Sequence, residues 1–285
     1  MADGKVVTLG VGGLLTCLDA ATGKNVWGND AFPLNVPQFF TAMSPLVVDG
    51  LCIAHLGGRG NGALMAFDLA TGAQKWKWAG EGPAYASPVL MTVDGTKQVV
   101  AQTEKSLVGL AVADGKLLWQ VPCPTEGRFY NSATPIVDGQ TVFYTGQGKG
   151  TKAAKIGKQG DGFVANPLWT NAELGAGFST PVLKDGFLFG LSGGGFFYCL
   201  NAQTGQAAWT DTVRRDNFGA VLDAGSVILA LPGNSELTVF KPSDKRYEEL
   251  ARIKLSDTPV YAHPVIAENR VFVKDRDTLT LWTVD

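Results

Sequence analysis

An internal repeat of about 44 residues constrains the fold of this chain more than any other feature of its sequence. Five Asp-Gly dipeptides and two weaker variants recur in phase, each ahead of an apolar run. They are Asp3-Gly4, Asp49-Gly50, Asp94-Gly95, Asp138-Gly139, Asp185-Gly186, Ala224-Gly225 and Glu268-Asn269. Because Asp-Gly between short β-rich runs is typical of a two-residue turn, each copy predicts a β-hairpin.

Each repeat unit contains signals for four strands. A second, glycine-rich turn follows the first, and a third and a fourth apolar run come after it. The segment from Gly146 to Lys152 has glycines and lysines like a phosphate-binding loop, but it lies in phase with the other second turns, so we interpret it as a hairpin. Four antiparallel strands at this period are the signature of a β-propeller blade. We therefore predict an all-β fold, a β-propeller of about seven four-stranded antiparallel blades forming a single domain over residues 1–285.

The first and last units each carry signals for only three strands, which brings the total to 26. The first unit starts at Asp3-Gly4 and the last one stops at its third strand, Leu279 to Asp285. The gaps fall in different blades, so we expect the chain to lack its native N-terminal segment. An open sheet edge invites pairing with other chains.

The third strand of most units runs into Asp-x-x-Thr-Gly, and a tryptophan follows the glycine by four residues. The residues assigned to this structural repeat are Asp19, Thr22, Gly23, Trp27, Asp68, Thr71, Gly72, Trp76, Trp119, Trp169, Thr204, Gly205 and Trp209. Tryptophan is large and rigid, so we expect it to lie between neighbouring blades, with the turn packed against it.

This motif resembles the tryptophan-docking repeat of the pyrroloquinoline quinone (PQQ)-like β-propellers. It is most similar to the PQQ-binding-like repeat proteins that are frequent in planctomycete-type bacteria. The superfamily also includes quinoprotein alcohol dehydrogenases and the outer-membrane assembly lipoprotein. The dehydrogenases place an adjacent Cys-Cys disulfide over the quinone and use a calcium ion and a catalytic Asp. Here the cysteines are Cys17, Cys52, Cys123 and Cys199, and no two are adjacent, so we predict no cofactor and no catalytic residue.

Charge and composition exclude several other classes. The chain has 24 Lys and Arg against 26 Asp and Glu, a formal net charge of −2, whereas a nucleic-acid binder usually carries a basic face. No apolar run approaches the roughly 18 residues of a membrane span, and the N-terminus does not read as a signal peptide. With two histidines and scattered cysteines, we predict no metal site.

Aromatic side chains recur just before the innermost strand of the units that retain it, where ligands of propellers usually lie. Their functional interpretation is an aromatic-lined axial mouth that stacks a planar or sugar-like ligand; the alternative is that they pack the axial funnel. The candidate ligand-binding residues are Phe40, Tyr85, Arg128, Tyr130, Asn131, Phe178, Phe218, Tyr261 and His263. His55 is interpreted as structural. The segment from Lys155 to Asn166 is either a partner-binding loop or a plain excursion of the chain.

These observations predict a non-enzymatic binding or scaffolding propeller. The resemblance implies a periplasmic or extracellular site of action and a protein partner or small ligand at the propeller face. The alternative is a degenerate or partial quinoprotein oxidoreductase, which quinone binding would reveal.

Overall fold

The computed structural model describes residues 1–124 and 130–283, and within them the chain forms 26 β-strands in seven antiparallel sheets. Five sheets have four strands, and the first and the last have three. The predicted all-β class, the propeller blades and the strand count are confirmed. The chain divides into two compact units, residues 1–143 with 154–167, and residues 144–153 with 168–285.

The first three sheets belong to unit 1. Each is an up-and-down arrangement in which consecutive strands pair. The strands of the first sheet are β1 (Lys5–Leu9), β2 (Leu15–Asp19) and β3 (Asn25–Asn29); of the second, β4 (Leu46–Val48), β5 (Leu51–Gly58), β6 (Asn61–Asp68) and β7 (Gln74–Trp78); of the third, β8 (Val89–Val93), β9 (Thr96–Gln102), β10 (Ser106–Ala111) and β11 (Leu117–Pro122).

The fourth sheet has residues in both units, and the last three sheets belong to unit 2. The strands of the fourth sheet are β12 (Ile136–Asp138), β13 (Thr141–Gly146), β14 (Gly150–Gln159) and β15 (Gly162–Asn171). Those of the fifth are β16 (Val182–Lys184), β17 (Phe187–Leu191), β18 (Phe197–Asn201) and β19 (Ala207–Thr210); of the sixth, β20 (Gly219–Asp223), β21 (Ile228–Pro232), β22 (Glu236–Phe240) and β23 (Glu249–Lys254); of the seventh, β24 (Val265–Ala267), β25 (Arg270–Lys274) and β26 (Leu279–Thr283).

The Asp-Gly dipeptides form the hairpin turns that the repeat predicts. Asp49 and Gly50 between β4 and β5 have φ of 51° and 71°, so both central residues are left-handed. This is the geometry of a type I′ turn, whose twist matches that of the flanking strands. The segment at Gly146 is likewise a hairpin turn, between β13 and β14.

The segment from Lys155 to Asn166 is neither a loop nor an irregular excursion. It continues β14 and β15, each ten residues long, and reverses direction near Gly160. The high content of glycine and lysine concealed this strand signal, because the exposed parts of these strands need no apolar alternation.

The core lies between successive sheets, because each strand alternates its side chains between two faces. In unit 1, Cys52 and Phe67 face a cluster with Leu15 and Trp27, whereas Ile53 of the same strand faces the third sheet. In unit 2, one cluster holds residues of the fifth and sixth sheets, and another holds residues of the sixth and seventh. Burial on both faces explains why the strands read as continuous apolar runs.

Four tryptophans connect neighbouring sheets by hydrogen bonds. Each indole Nε1 donates to a backbone carbonyl of the next repeat, and the four pairs are Trp27 with Leu69 (2.9 Å), Trp76 with Val112 (2.9 Å), Trp169 with Ala202 (2.9 Å) and Trp209 with Ser243 (2.6 Å). The accepting carbonyls of Leu69 and Ala202 directly follow Asp68 and Asn201 of the repeat turns. A Cβ on Gly72 would come within 2.7 Å of the Trp27 ring, so glycine is required there for packing as well as for its φ of 75°.

The aspartate and threonine of the motif hold the turn itself. Asp68 Oδ1 accepts from the backbone nitrogen and the hydroxyl of Thr71, both at 3.0 Å, and Asp19 binds Thr22 in the same way. The hydrogen bonds from Thr22 keep the pKa of Asp19 below its usual value. The pKa of Asp68 is lowered first by Lys75, whose Nζ lies 3.1 Å from Asp68 Oδ2, and then by the hydrogen bonds from Thr71. The assigned structural role of the motif is therefore explained by local geometry.

Trp119 is the exception, and the prediction that it docks like the others is wrong. Its Nε1 donates to Gln98 Oε1 in the same sheet, at 2.6 Å. Its ring lies so close to Gly109 of β10 that a Cβ there would clash. The reason lies in the sequence of the following repeat, which has a long β14–β15 hairpin in place of Asp-x-x-Thr-Gly.

Candidate functional site

Three aromatic rings of unit 1 meet where the inner strands of its sheets begin. Phe39 and Tyr130 are 5.4 Å apart between ring centroids, Tyr85 and Tyr130 are 5.3 Å apart, and both pairs are edge-to-face. Phe39 and Tyr85 lie 6.4 Å apart. We call these three residues the Phe39 cluster. Such packing of ring edges against faces stabilises the arrangement of the rings beyond the burial of their area.

Hydrogen bonds from the backbone and an amide hold the Phe39 cluster in place. The backbone nitrogen of Phe39 donates to Tyr85 Oη at 3.1 Å, and Tyr130 Oη donates to Gln38 Oε1 at 3.0 Å. Partial burial raises the pKa of the Tyr85 hydroxyl above its ordinary value. Tyr85 is therefore neutral near pH 7, and its hydroxyl contributes to the cluster as a hydrogen-bonding group.

The Ser/Thr-Pro motifs set the spacing of the inner strands below this cluster. The backbone nitrogen of Ser44 donates to Ser87 Oγ at 2.9 Å, and that of Ser87 donates to Thr134 Oγ1 at 3.1 Å. Each hydroxyl accepts from the preceding repeat, so three strand starts are tied in series. This relay explains why a small hydroxyl residue precedes proline in these units.

Unit 2 carries its own aromatic group, which we call the Phe178 cluster. The rings of Phe178 and Phe218 are stacked, with centroids 4.1 Å apart and planes 12° apart, and Tyr261 meets Phe218 edge-on at 6.1 Å. Phe218 and Tyr261 are exposed to solvent. Asp216 Oδ1 accepts from the backbone nitrogen of Phe218 at 3.2 Å. This hydrogen bond holds the backbone at Phe218, directly before β20 begins at Gly219.

The structure thus joins five of the candidate residues into two groups, Tyr85 with Tyr130 and Phe178 with Phe218 and Tyr261. Phe39, the neighbour of Phe40 in sequence, contacts Tyr85 and Tyr130, whereas Phe40 is exposed and has a left-handed backbone with φ of 63°. A left-handed phenylalanine cannot be foreseen from a repeat pattern. Whether these rings bind a ligand stays a prediction.

Two of the other candidates have surroundings of a different kind, and a third lies outside the described residues. Asn131 is fully buried, and its Nδ2 donates to the carbonyls of Thr103 (2.7 Å) and Cys123 (3.0 Å). Since both amide hydrogens are committed inside the protein, Asn131 is structural, and its assignment as a ligand residue is corrected. His263 is exposed, and its Nδ1 lies 3.0 Å from the carbonyl oxygen of Pro264. Arg128 belongs to the segment 125–129, which the structure does not describe.

Sequence reasoning missed a buried polar network beside the Phe39 cluster. Glu81 accepts hydrogen bonds from Thr103 Oγ1, from Ser106 Oγ at 2.9 Å and from Gln120 Nε2 at 2.8 Å. His55 Nε2 lies 2.9 Å from the carbonyl oxygen of Glu81, and full burial lowers the pKa of His55 to about 4. The histidine is neutral and donates to this carbonyl, which supports the structural interpretation of His55.

A shallow pocket adjoins this network. Glu104 accepts from the backbone nitrogens of Gly60 and Gly82, both at 3.1 Å. Lys77 Nζ lies 4.9 Å from the centroid of the Phe32 ring at the rim. Glu104 thus connects the loop at Gly60 with the loop at Gly82, so we interpret its role in this pocket as structural.

The described residues do not fit a quinone and calcium site of the dehydrogenase kind. All four cysteines are free and buried in different strands or loops, so none forms an adjacent disulfide. Residues 1–124 and 130–283 contain no group of three or more His, Cys, Asp or Glu placed to hold a metal ion. No helix of this part of the chain is long and apolar enough to cross a membrane.

The tryptophan-docked blades define the class of protein, a β-propeller built from PQQ-like repeats. The family model described as "Outer membrane protein assembly factor BamB" matches residues 1–162 and 164–285. The chain therefore belongs to this family.

Curated relatives and solved structures agree with this membership. The BamB protein of Xanthomonas campestris is 24% identical over 332 aligned positions, which cover 97% of this chain and 78% of that protein. The BamB protein of Yersinia pestis is 24% identical over 92% of this chain and 71% of its own length. The crystal structure of BamB from Moraxella catarrhalis has a TM-score of 0.75 at 16% identity, covering 99% of this chain and 80% of that one.

Two other proteins also match, one over a part of the chain and one over almost all of it. The quinohemoprotein alcohol dehydrogenase of Comamonas testosteroni is 38% identical over 80 residues, which are 26% of this chain and 11% of that enzyme. The computationally designed protein Ika8 has a TM-score of 0.73 at 13% identity, over 99% of this chain and 81% of that one. The likeness to the solved structures shows the fold alone.

Proposed function

We propose that this chain is a non-enzymatic scaffold of the cell envelope, which holds a protein partner during the assembly of outer-membrane proteins. The observation that carries the proposal is the match to the BamB family over almost the whole chain. Two curated BamB proteins align with 97% and 92% of it. The dehydrogenase likeness, in contrast, covers 26% of the chain.

The surface chemistry supports a binding role. Exposed aromatic side chains in both units are fixed by ring contacts and hydrogen bonds before any partner arrives. Rigid aromatic residues bind with a small loss of conformational entropy, and they are enriched at the energetic centres of interfaces. The alternative binding role is that the aromatic residues form a mouth that stacks a small planar or sugar-like ligand, and this role needs no protein partner.

Complementation tests the assembly role. The chain, directed to the envelope by an appended export signal, is expressed in a Xanthomonas campestris strain that lacks its BamB protein, and outer-membrane protein levels are measured. We expect at least partial restoration. The double variant Phe39→Ala/Tyr130→Ala should restore less than Leu250→Ala, a matched change of an exposed side chain in β23. Failure of the unchanged chain, at equal abundance in the envelope, would contradict the proposal.

The oxidoreductase alternative has a separate test. Thermal unfolding is followed with and without PQQ plus calcium, because a ligand of the native state raises the midpoint by mass action. The scaffold proposal expects no shift. A rise of several degrees with PQQ would favour the quinoprotein and call for dye-linked dehydrogenase assays.

A further inference from the structure

The connection between β3 and β4 differs in charge from the rest of the chain. Residues 31–48 contain no Asp, Glu, Lys, Arg or His, although such residues are common elsewhere. Residues 6–18, which form most of β1 and β2 and the turn between them, also contain no charged residue. The two segments are joined, because Thr41 donates from its backbone nitrogen to Val11 O (3.1 Å) and from its hydroxyl to Gly10 O (2.6 Å).

This connection projects large apolar side chains into water. Leu34 is 100% exposed, Phe39 61% and Phe40 58%, and Val11 beside them is 68% exposed. Single exposed apolar residues are ordinary, but several on one connection and on the turn bonded to it indicate an interaction site. We call Val11, Leu34, Phe39 and Phe40 the Leu34 surface.

The backbone is strained at two of these residues. Leu34 has φ of 59° and Phe40 has φ of 63°. The other non-glycine residues with positive φ in the described ranges are Asp, Glu or Ser, which tolerate or occupy turns. For a bulky side chain this conformation is unfavourable, and burial does not compensate, since both side chains are exposed. Backbone strain that is not offset by burial of the side chain is typical of binding sites.

The connection is held rigidly in spite of this strain. Asn35 Nδ2 donates to Asn61 O at 2.6 Å, the backbone nitrogen of Phe40 donates to Pro37 O at 2.9 Å, and Tyr130 binds Gln38. These contacts anchor the backbone of the segment at several points. Such preorganisation lowers the entropic cost of association.

We propose that the Leu34 surface is a docking site for an uncharged, apolar segment of a partner protein. This deepens the proposed function and rests on it. Neither segment carries a charged residue, which favours a neutral partner, because a charged group bound against them would lose hydration without an ion-pair partner in either segment. The lack of Lys and Arg in both segments argues against an anionic lipid surface, which binds through basic residues.

A defined peptide tests the chemistry of the partner. A panel of terminally blocked ten-residue peptides composed of Val, Phe, Ser and Thr is compared with copies in which two apolar residues become Glu or Lys. Binding of the purified chain to the immobilised peptides is measured by interferometry. We expect binding of neutral peptides and at least tenfold weaker binding of the charged copies.

The variants Leu34→Gly and Phe40→Gly separate docking from folding. Glycine relieves the left-handed strain at both positions, and it removes no buried contact of Leu34 and only the partly buried contacts of Phe40. The melting temperature should therefore stay equal or rise, while peptide affinity falls at least tenfold in the double variant. Leu250→Gly is the matched control, an exposed leucine outside unit 1, and should leave affinity unchanged. A surface with a purely structural role would show a lower melting temperature in the double variant.

Three results would overturn the proposal. The first is equal peptide binding by the double variant, or no binding of any neutral peptide. The second is Leu34-dependent sedimentation with phosphatidylethanolamine and phosphatidylglycerol vesicles, which would assign the surface to lipid. The third is self-association in ultracentrifugation that the double variant abolishes, which would assign it to a second copy. Complementation by the unchanged chain decides the proposed function separately, since it does not depend on peptide binding.

Discussion

Trp119 and Gln98 form a hydrogen bond within one sheet, Nε1 to Oε1 at 2.6 Å, where the other docking tryptophans reach a backbone carbonyl in the next repeat. Gln98 is fully buried, and the residues at the same register position in other sheets are Leu51 and Phe187. Gly109 leaves space for the indole ring above β10. Gln98 therefore supplies the hydrogen-bond acceptor for Trp119, and Gly109 supplies the surface on which its ring packs. For the other docking tryptophans the following repeat supplies the acceptor.

Replacing Gln98 should therefore destabilise the protein through Trp119. Gln98→Leu leaves the buried indole N–H without its acceptor, and we expect a loss of about 1–2 kcal/mol in the free energy of unfolding. In a Trp119→Phe background the same change should cost much less, because no N–H is left unsatisfied. Urea denaturation of the four proteins measures the coupling. Equal costs in both backgrounds would show that the hydrogen bond does not contribute.

Gly72 and Gly50 allow the packing of Trp27 to be separated from backbone conformation. Both have left-handed φ, 75° and 71°, but a Cβ on Gly72 meets Trp27 at 2.7 Å, whereas one on Gly50 meets nothing within 4 Å. Gly50→Ala should cost about 1 kcal/mol from conformation alone. Gly72→Ala should cost about 1–3 kcal/mol more from overpacking. Similar losses for both variants would mean that the indole moves aside freely.

Much of the fold could be predicted from the sequence because the repeat encodes it locally. Asp-Gly fixes a turn type at Asp49 and Asp94, and the glycine of the Asp-x-x-Thr-Gly turn faces a tryptophan at Gly72 and Gly205. These signals act within a few residues and recur in phase. The strand count and the docking of four tryptophans follow from them directly.

The candidate site could be predicted only in position. The aromatic residues lie at the strand starts as expected, but whether Phe39 or Phe40 joins Tyr130 depends on one left-handed residue. The role of Asn131 depends on carbonyls at Thr103 and Cys123, which no repeat pattern relates to it. Contacts of this kind depend on tertiary packing, so they lie beyond local sequence rules.

His55 should make stability depend on pH. Its pKa is lowered to about 4 by burial, against roughly 6.5 in an unfolded chain. Between these values the unfolded state binds the proton and the folded state does not, so stability falls as pH decreases from about 6.5 to 4. The full loss is of the order of 3 kcal/mol. Urea denaturation at pH 7 and pH 4.5 measures it.

The variant His55→Gln identifies the source of this pH dependence. Glutamine retains a donor for the carbonyl of Glu81 but does not titrate, so the decline between pH 6.5 and pH 4.5 should become shallower than in the unchanged protein. The carboxylate of Glu104 acts on His55 in the opposite direction, so Glu104→Gln should steepen the decline. An unchanged slope in His55→Gln would contradict the assignment.

The cysteines should be unreactive in the folded protein. Burial raises the pKa of Cys52 and of Cys199 to about 12, and the nucleophile in thiol exchange is the thiolate. We expect Ellman's reagent to detect almost no thiol at pH 8 in native protein and all four in denaturant. Because the four are free, the melting temperature should be the same with and without a reductant. A melting temperature that falls on reduction would show that two of these thiols form a stabilising disulfide, and rapid labelling of the native protein would show that the sheets open readily.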